Sequence, residues 1–410
     1  MVPAVALGLA TGNYLLFILP GLLYPRLRTG LHCASLLSWC ALLGIAEWHG
    51  WVRTLGQPAS TTALASLLGL PFLILTMIAY NVAHWREPER HASPRRFVAY
   101  LVYCLYFPRF LCGPLETANW LNRLEHFRWR LCPRHIDVGL RWILLGAVYN
   151  LVAASLIRQY WQYQGSNPLL GALAGATAFE LQVYCDFAGY SMMAVGAGWI
   201  LNLRITMNFH SPFFASNLRD FWQRWHTSLG RWLREHLFQP MRQAFGPSRA
   251  SLILATMLTF LVSALWHGLT LNFLLWGAWH ALAFLSYVLW FSRSRRLRWL
   301  GLPALWLVLI MGRLLFMSNR AALAKHFQAF TDLQNWQTLL PDLFTAIGGA
   351  SALAWFGIAL FAVLMLGEAL SLHSGRPYRL LLKPALRVPL AALLLLAVEA
   401  GSEGAVYAGI

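Results

Sequence analysis

The chain is short of charge. Only 11% of its 410 residues are charged, against about a quarter in a soluble domain of this size. Lysine stands only at 325 and 383, and 15 acidic residues face 32 basic ones, for a formal charge of +17. The six cysteines, at 33, 40, 104, 112, 132 and 185, form no CxxC pair and mostly fall inside apolar runs. They read as small packing residues, which excludes a disulfide frame and a thiolate metal centre. HExxH and GxSxG are both absent, which excludes the commonest zinc-peptidase and serine-hydrolase arrangements. No internal repeat is visible and no interrupted helices recur in matching halves, which weighs against an inverted-repeat transporter.

What is abundant is apolar sequence. Hydrophobic residues make up 58% of the chain, in repeated runs of about twenty residues, the length needed to cross a bilayer. Candidate spans fall at about 4–24, 30–51, 60–84, 97–118, 138–158, 168–201 (one piece or two), 251–266, 270–291, 299–317, 343–367 and 384–400. The expected fold is therefore an all-α polytopic integral membrane protein. It has about eleven transmembrane helices, plus re-entrant and interfacial helices, around a central funnel or tunnel. Short linkers make residues 1–410 a single domain. The arginines lie between apolar runs, so anionic lipid and the positive-inside bias account for the charge, and no nucleic acid is implied.

The first run, 4–24, has no basic residue before it and is followed by Arg26 and Arg28. That pattern predicts an uncleaved segment with its N-terminus outside. The 97–118 run is flanked by Arg95 and Arg96 on one side and by Arg123, Arg128, Arg130 and Arg134 on the other. A single crossing cannot place both flanks inside. Pro108 and Gly113-Pro114 interrupt the run, which predicts a broken or re-entrant segment buried against other helices.

Two segments carry chemistry. The first, 217–238, reads as one amphipathic helix capped by Ser216 or Asn217, with Trp222, Trp225, Leu229, Leu233 and Leu237 on an apolar stripe. Asp220 with Arg224, and Arg231 with Glu235, are opposite charges four residues apart. Such a helix suits the membrane interface, and it reads equally well as an anchor and nothing more. In the second, Trp266-His267-Gly268-Leu269-Thr270, an apolar run ends on a histidine, Gly268 stops the helix and Thr270 opens the next. An imidazole at membrane depth suits proton transfer near neutral pH, and suits a packing hydrogen bond as well. Asp186, between Cys185 and Phe187, reads as a buried partner for an arginine or for tyrosine hydroxyls, and Glu116 is a weaker case of the same kind. Haem ligation by His267 and His280, thirteen residues apart, is disfavoured by the break at Gly268.

Four motifs occur in order: Tyr184-x-Asp186-Phe187-x-Gly189-Tyr190-Ser191, Asn208-Phe209-x-x-Pro212-Phe213, Asp220-Phe221-Trp222-x-Arg224-Trp225-His226 and Trp266-His267-Gly268. In this the chain resembles the membrane-bound O-acyltransferases, with the motif-bearing core at about 100–290 and the flanks similar only in hydropathy. Met207-Asn208-Phe209, Asp220 and Trp266-His267-Gly268-Leu269-Thr270 resemble most the branch that transfers D-alanyl groups to envelope polymers, with O-acetylation of an exported polysaccharide as the alternative. The resemblance implies His267 as base, His226 as the group that orients the thioester or acceptor, and Asn208 as an oxyanion donor. It implies substrate contacts from Trp222, Arg224, Trp225, Asp186 and Trp266, and partner contacts from Arg231 and Arg234. No metal and no resident cofactor are implied. The acyl donor would be a phosphopantetheine thioester, on a small acidic acyl carrier protein or as acyl-CoA. A small single-span membrane peptide would act as relay, membrane lipids would surround the protein, and the location would be the bacterial cytoplasmic (inner) membrane. The non-enzymatic alternative is a transporter or flippase.

Overall fold

The computed structural model describes residues 2–39, 41, 70–87, 94–109, 113–125, 127, 130–161, 167–293, 301–317, 320–372 and 378–399. All regular structure among these residues is helical. Five helices are long and apolar enough to cross a membrane: Ala6–Leu23, Pro133–Arg158, Arg249–His267, Leu271–Leu289 and Ala352–Leu372. Gly301–Met317 is a shorter apolar helix of the same character. The expected eleven crossings are thus met by five on this measure. Much of the expected 30–51 and 60–84 spans lies outside the described residues, which resume as the helix Leu70–Arg86.

The spine of the fold is Pro168–Ile200, a single helix of 33 residues where the hydropathy pattern left one piece or two open. At 1.5 Å per residue it is about 50 Å long, well beyond the ~30 Å hydrocarbon layer. Asn167 starts it by accepting from the amides of Leu169 and Leu170 at 2.9 and 3.0 Å, with Pro168 in the first turn. It packs antiparallel to Pro133–Arg158 at two glycine pairs, Gly139 with Gly196 and Gly146 with Gly189, where backbone meets backbone. Seven residues separate the glycines on both helices, so the pairs recur on one face every two turns.

Charges inside the bundle are paired. Glu180, on the long helix, takes the Arg313 Nε at 2.5 Å. Glu368 accepts the hydroxyls of Tyr149 and Tyr184, each at 2.6 Å. Asp186, expected to serve an arginine or tyrosine hydroxyls, feels the charge of Arg158 and is also hydrogen-bonded by Asn150 from the π-helical turn Val148–Ala153. That wide turn brings the Asn150 amide across the close approach at Gly189.

Two further readings change. The 97–118 run breaks as expected: the helix ends at Leu105, Phe107–Arg109 forms a single turn, and 113–117 has no regular structure. Arg109 stays inside, stacked on Tyr103 and Trp120. The segment 217–238, expected as one helix, is instead broken. Leu218–Arg224 stops, Trp225 is extended, and His226 takes a left-handed conformation (φ 43°) before Thr227–Leu233 begins. Tertiary hydrogen bonds to 207–210 overrule the helical periodicity here. His210 N–H donates to the Arg224 carbonyl at 3.0 Å, Thr227 N–H to the Asn208 carbonyl at 2.9 Å, and the Thr227 hydroxyl to the Met207 carbonyl at 2.7 Å.

Candidate active site

The break at His226 is what builds the site. A continuous helix would carry residue 226 around with its neighbours; the left-handed backbone lets its ring enter the bundle. The ring is buried, with its centroid 4.7 Å from Phe187 and 6.3 Å from both Phe72 and Trp266. Neither ring nitrogen has a hydrogen-bond partner.

His267 ends its helix as expected, and Gly268 follows with φ 152°, a conformation that suits glycine. The ring sits among Trp266, Phe316, Trp276 and Phe273 at 4.8, 5.1, 5.4 and 6.0 Å, and keeps partial exposure. The Trp266 indole therefore packs against both imidazoles. The structure brings together His226, His267, Trp266 and Trp222, and adds His280, which packs on Trp222 at 5.2 Å and on Trp276 at 5.0 Å. Besides the two His226 nitrogens, Trp266 Nε1, Trp222 Nε1 and His280 Nδ1 are buried without partners. Buried polar atoms are nearly always satisfied in folded proteins, so this concentration of unspent ring nitrogens makes the cluster the candidate site.

The other expected residues stand farther out. Asn208 donates to Ser191 Oγ at 3.1 Å and accepts from the Ser228 hydroxyl at 2.5 Å, so its amide ties the His226 segment to the long helix. Trp225 belongs to a layer of Phe209, Phe213, Phe221 and Tyr184 behind the histidines. Arg224 is held by Asp220 at 2.7 Å and by the His210 carbonyl at 3.4 Å. Burial pulls the Asp220 carboxyl up, but the Arg224 hydrogen bond and the Ser216 amide outweigh it and hold the group below its ordinary range. Asp186 faces the Pro133–Arg158 helix through Asn150. Arg231, expected beside Glu235, donates instead to the Leu115 carbonyl at 2.9 Å, and Arg234 is exposed on the next turn.

Sequence reasoning missed Arg313 and Glu180. Arg313 is sandwiched between Phe179 and Phe316, and Phe316 packs on His267. The available signal was charge inside two apolar runs, Glu180 (with Asp186) in 168–201 and Arg313 alone in 299–317.

The long helix orders these groups in depth. Arg204 stacks on Trp199, Asn208 bonds Ser191, His226 packs on Phe187, and Phe316 of the His267 cluster meets Phe179. Measured from Trp199 along the helix, those levels lie at about 12, 18 and 30 Å. The end where Pro133 and Ile200 meet carries Arg123, Arg134, Arg204 and Arg387. The Phe179 level, which Phe316 of the His267 cluster meets, is thus about 30 Å from that arginine-rich end. Two cavities are described. One, of about 340 Å³, is lined by Arg123, Phe127, Asn202, Leu203 and Arg204. A small one touches Phe72, Thr76, Arg109 and Leu115. Neither is lined by His226 or His267, so the expected tunnel is not outlined by these cavities.

The family model described as MBOAT, membrane-bound O-acyltransferase family, matches residues 27–321. The chain is 28% identical over 237 residues to the probable alginate O-acetylase AlgI of Pseudomonas fluorescens, covering 55% of this chain and 46% of that protein. It is 29% identical over 215 residues to the teichoic acid D-alanyltransferase of Bacillus subtilis, covering 49% and 54%. It is 30% identical over 207 residues to the peptidoglycan O-acetyltransferase of Helicobacter pylori, covering 48% and 38%. The chain spans about half the length of these curated relatives.

Proposed function

Because the chain belongs to the membrane-bound O-acyltransferase family, we propose that it moves an acyl group from a thioester at its arginine-rich end to a hydroxyl of an envelope polymer, or of a relay peptide, at the other end. The observation that carries this reading is the pair of imidazoles in contact with one indole, Trp266, within an aromatic enclosure.

Acyl transfer needs a base, a means of holding the carbonyl and exclusion of water. His267 takes the proton from the incoming hydroxyl. The oxygen adds to the acyl carbon, and the C–S bond breaks. The proton passes from the imidazolium to the departing thiolate, so His267 ends neutral as it began. His226, whose ring nitrogens are unspent, binds the thioester carbonyl or the acceptor. Trp276, Phe273 and Phe316 keep water from the activated acyl carbon.

The donor in this reading is a phosphopantetheine thioester on a small acidic carrier protein, received on the cytoplasmic side by exposed arginines such as Arg234. Acyl-CoA is the simpler form of the same donor. A small single-span peptide relays the group outside, in the bacterial inner membrane. D-alanyl is the proposed acyl group. Acetyl is the second reading, favoured by the likeness to proteins named as acetylases.

Reconstitution in liposomes with radiolabelled D-alanyl-carrier or acetyl donors tests this. Label is expected to move to a polymer hydroxyl, and His267→Ala to abolish transfer while the protein still inserts and elutes as the wild type does. Full transfer by that variant removes His267 from the mechanism. Movement of an unmodified substrate with no transfer of label identifies a transporter instead.

A further inference from the structure

We propose that the cavity of about 340 Å³ lined by Arg123, Phe127, Asn202, Leu203 and Arg204 is a binding site for a phosphate ester. Three features of the residues support this. The Arg204 guanidinium lies over the Trp199 ring, 3.8 Å from its centroid. Stacking fixes the plane of the fork and leaves its edges for a ligand, and a planar fork matches two phosphate oxygens. Arg123 is held against the same short segment, its Nη1 donating to the Arg204 carbonyl at 3.2 Å, and Trp120 Nε1 pins that carbonyl at 2.9 Å. Both cations are therefore placed by the fold rather than free to drift.

Among the described residues the cavity is lined by no carboxylate. Glu116, which reaches the same segment, is spent on the amide and hydroxyl of Thr206, both at 2.5 Å. Phe127 and Leu203 supply an apolar wall, which suits an ester with an organic arm better than a bare ion.

The location gives the arm a direction. Arg204 stacks on Trp199 and Asn208 bonds Ser191, eight residues apart on the long helix, so the two levels lie about 12 Å apart. Polar side chains connect them. Arg231 bridges Thr206 and the Leu115 carbonyl, Leu115 N–H donates to Ser228, and Ser228 donates to Asn208. Asn208 in turn accepts from the amide next to His226. A phosphate seated on Arg204 thus anchors one end of a chain whose other end reaches the His226 level. Naming that chain as the donor's pantetheine arm rests on the acyl-transfer reading; the phosphate chemistry of the cavity does not. A phospholipid headgroup offers the same chemistry from a second source.

Binding is measured without turnover, by calorimetry on the detergent-solubilised full chain with 4′-phosphopantetheine and with pantetheine. Wild type is expected to prefer the phosphorylated compound by at least about tenfold, the lower end for a lost charge-assisted pair. Arg123→Gln with Arg204→Gln is expected to bind the two equally, and Arg204→Lys to fall between. In phosphatidylcholine nanodiscs doped with phosphatidylglycerol, loss of retained phosphatidylglycerol in the double variant, without any change for the pantetheine compounds, assigns the phosphate ester to lipid. A correctly folded double variant that matches wild type in all three measurements overturns the proposal. If binding changes as expected but no acyl transfer is detected with either donor, the cavity stands and the acyl-transfer reading falls.

Discussion

Alanine at Gly189 and alanine at Gly175 should change stability in opposite directions, although both glycines lie on the same helix. A Cβ at Gly189 would stand 2.5 Å from the Gly146 carbonyl oxygen and 2.7 Å from the Asn150 backbone nitrogen. The first is about 0.9 Å short of the 3.4 Å at which ordinary contact begins. Both neighbours are backbone within a helix, so no side chain can yield and the two helices must part. Overpacking of this kind costs ~1–3 kcal/mol, with the upper end expected where nothing flexes. A Cβ at Gly175 meets nothing within 4 Å. There, alanine brings only its better helix propensity, a gain of about 0.5–1 kcal/mol. Thermal unfolding in detergent should therefore show Gly189→Ala lowered by several degrees and Gly175→Ala unchanged or raised. Gly189→Ala should also reduce activity, because Phe187, two residues away, is the ring against which His226 rests. Equal shifts for the two variants would refute the close helix approach, and with it the placement of His226 at mid-depth.

Other outcomes follow from the paired charges. Removing one partner of Arg313–Glu180, as in Arg313→Met, should cost about 3–5 kcal/mol, whereas Arg313→Met with Glu180→Leu should recover most of that loss, read by thermal unfolding. For Asp220 the folded carboxyl lies below its ordinary value, so its contribution is full at neutral pH and is lost as pH falls through the folded-state value. Asp220→Asn should thus destabilise by less than about 1 kcal/mol at pH 7, since both groups are partly exposed, and the difference from wild type should close on acidification. Glu368→Leu should cost more than Asp220→Asn, because it removes a buried acceptor of two tyrosine hydroxyls; parallel unfolding curves check the order.

Local chemistry was legible in the sequence wherever the controlling partner lies within a few residues. The Asn217 cap, accepting from the Asp220 amide at 3.0 Å, and the Asp220–Arg224 pair were both read from spacing alone. So was the stop at Gly268. The break in the 97–118 run followed from its prolines and from arginines on both flanks. Failures came where a distant partner decides. The stripe across 217–238 has helical periodicity on both sides of the kink, and the hydrogen bonds that turn the chain at His226 come from 207–210. Asp186 offered no sign of Asn150, 36 residues earlier, and Glu180 none of Arg313, 133 residues later. The single expected run at 343–367 is two helices, because Gly348-Gly349 ends one and Ser351 caps the next. His280 escaped selection because one histidine in an apolar helix resembles packing until Trp222 and Trp276 are seen around it.

The Pro168–Ile200 helix works as a graduated rod on which every level of the site is mounted. Between Phe179 and Trp199 its register admits no slip: one inserted residue turns everything beyond it by about 100° and advances it by 1.5 Å, so Glu180 and Phe187 could no longer address Arg313 and His226 together. Toward the Pro168 end the same limit holds, because Asn167 bonds Asn335 and Thr338, and Ala172 and Ala176 pack with Leu314. The spacing between the two imidazoles is therefore inherited from the pitch of one continuous rod, and loops elsewhere can vary in length without retuning it.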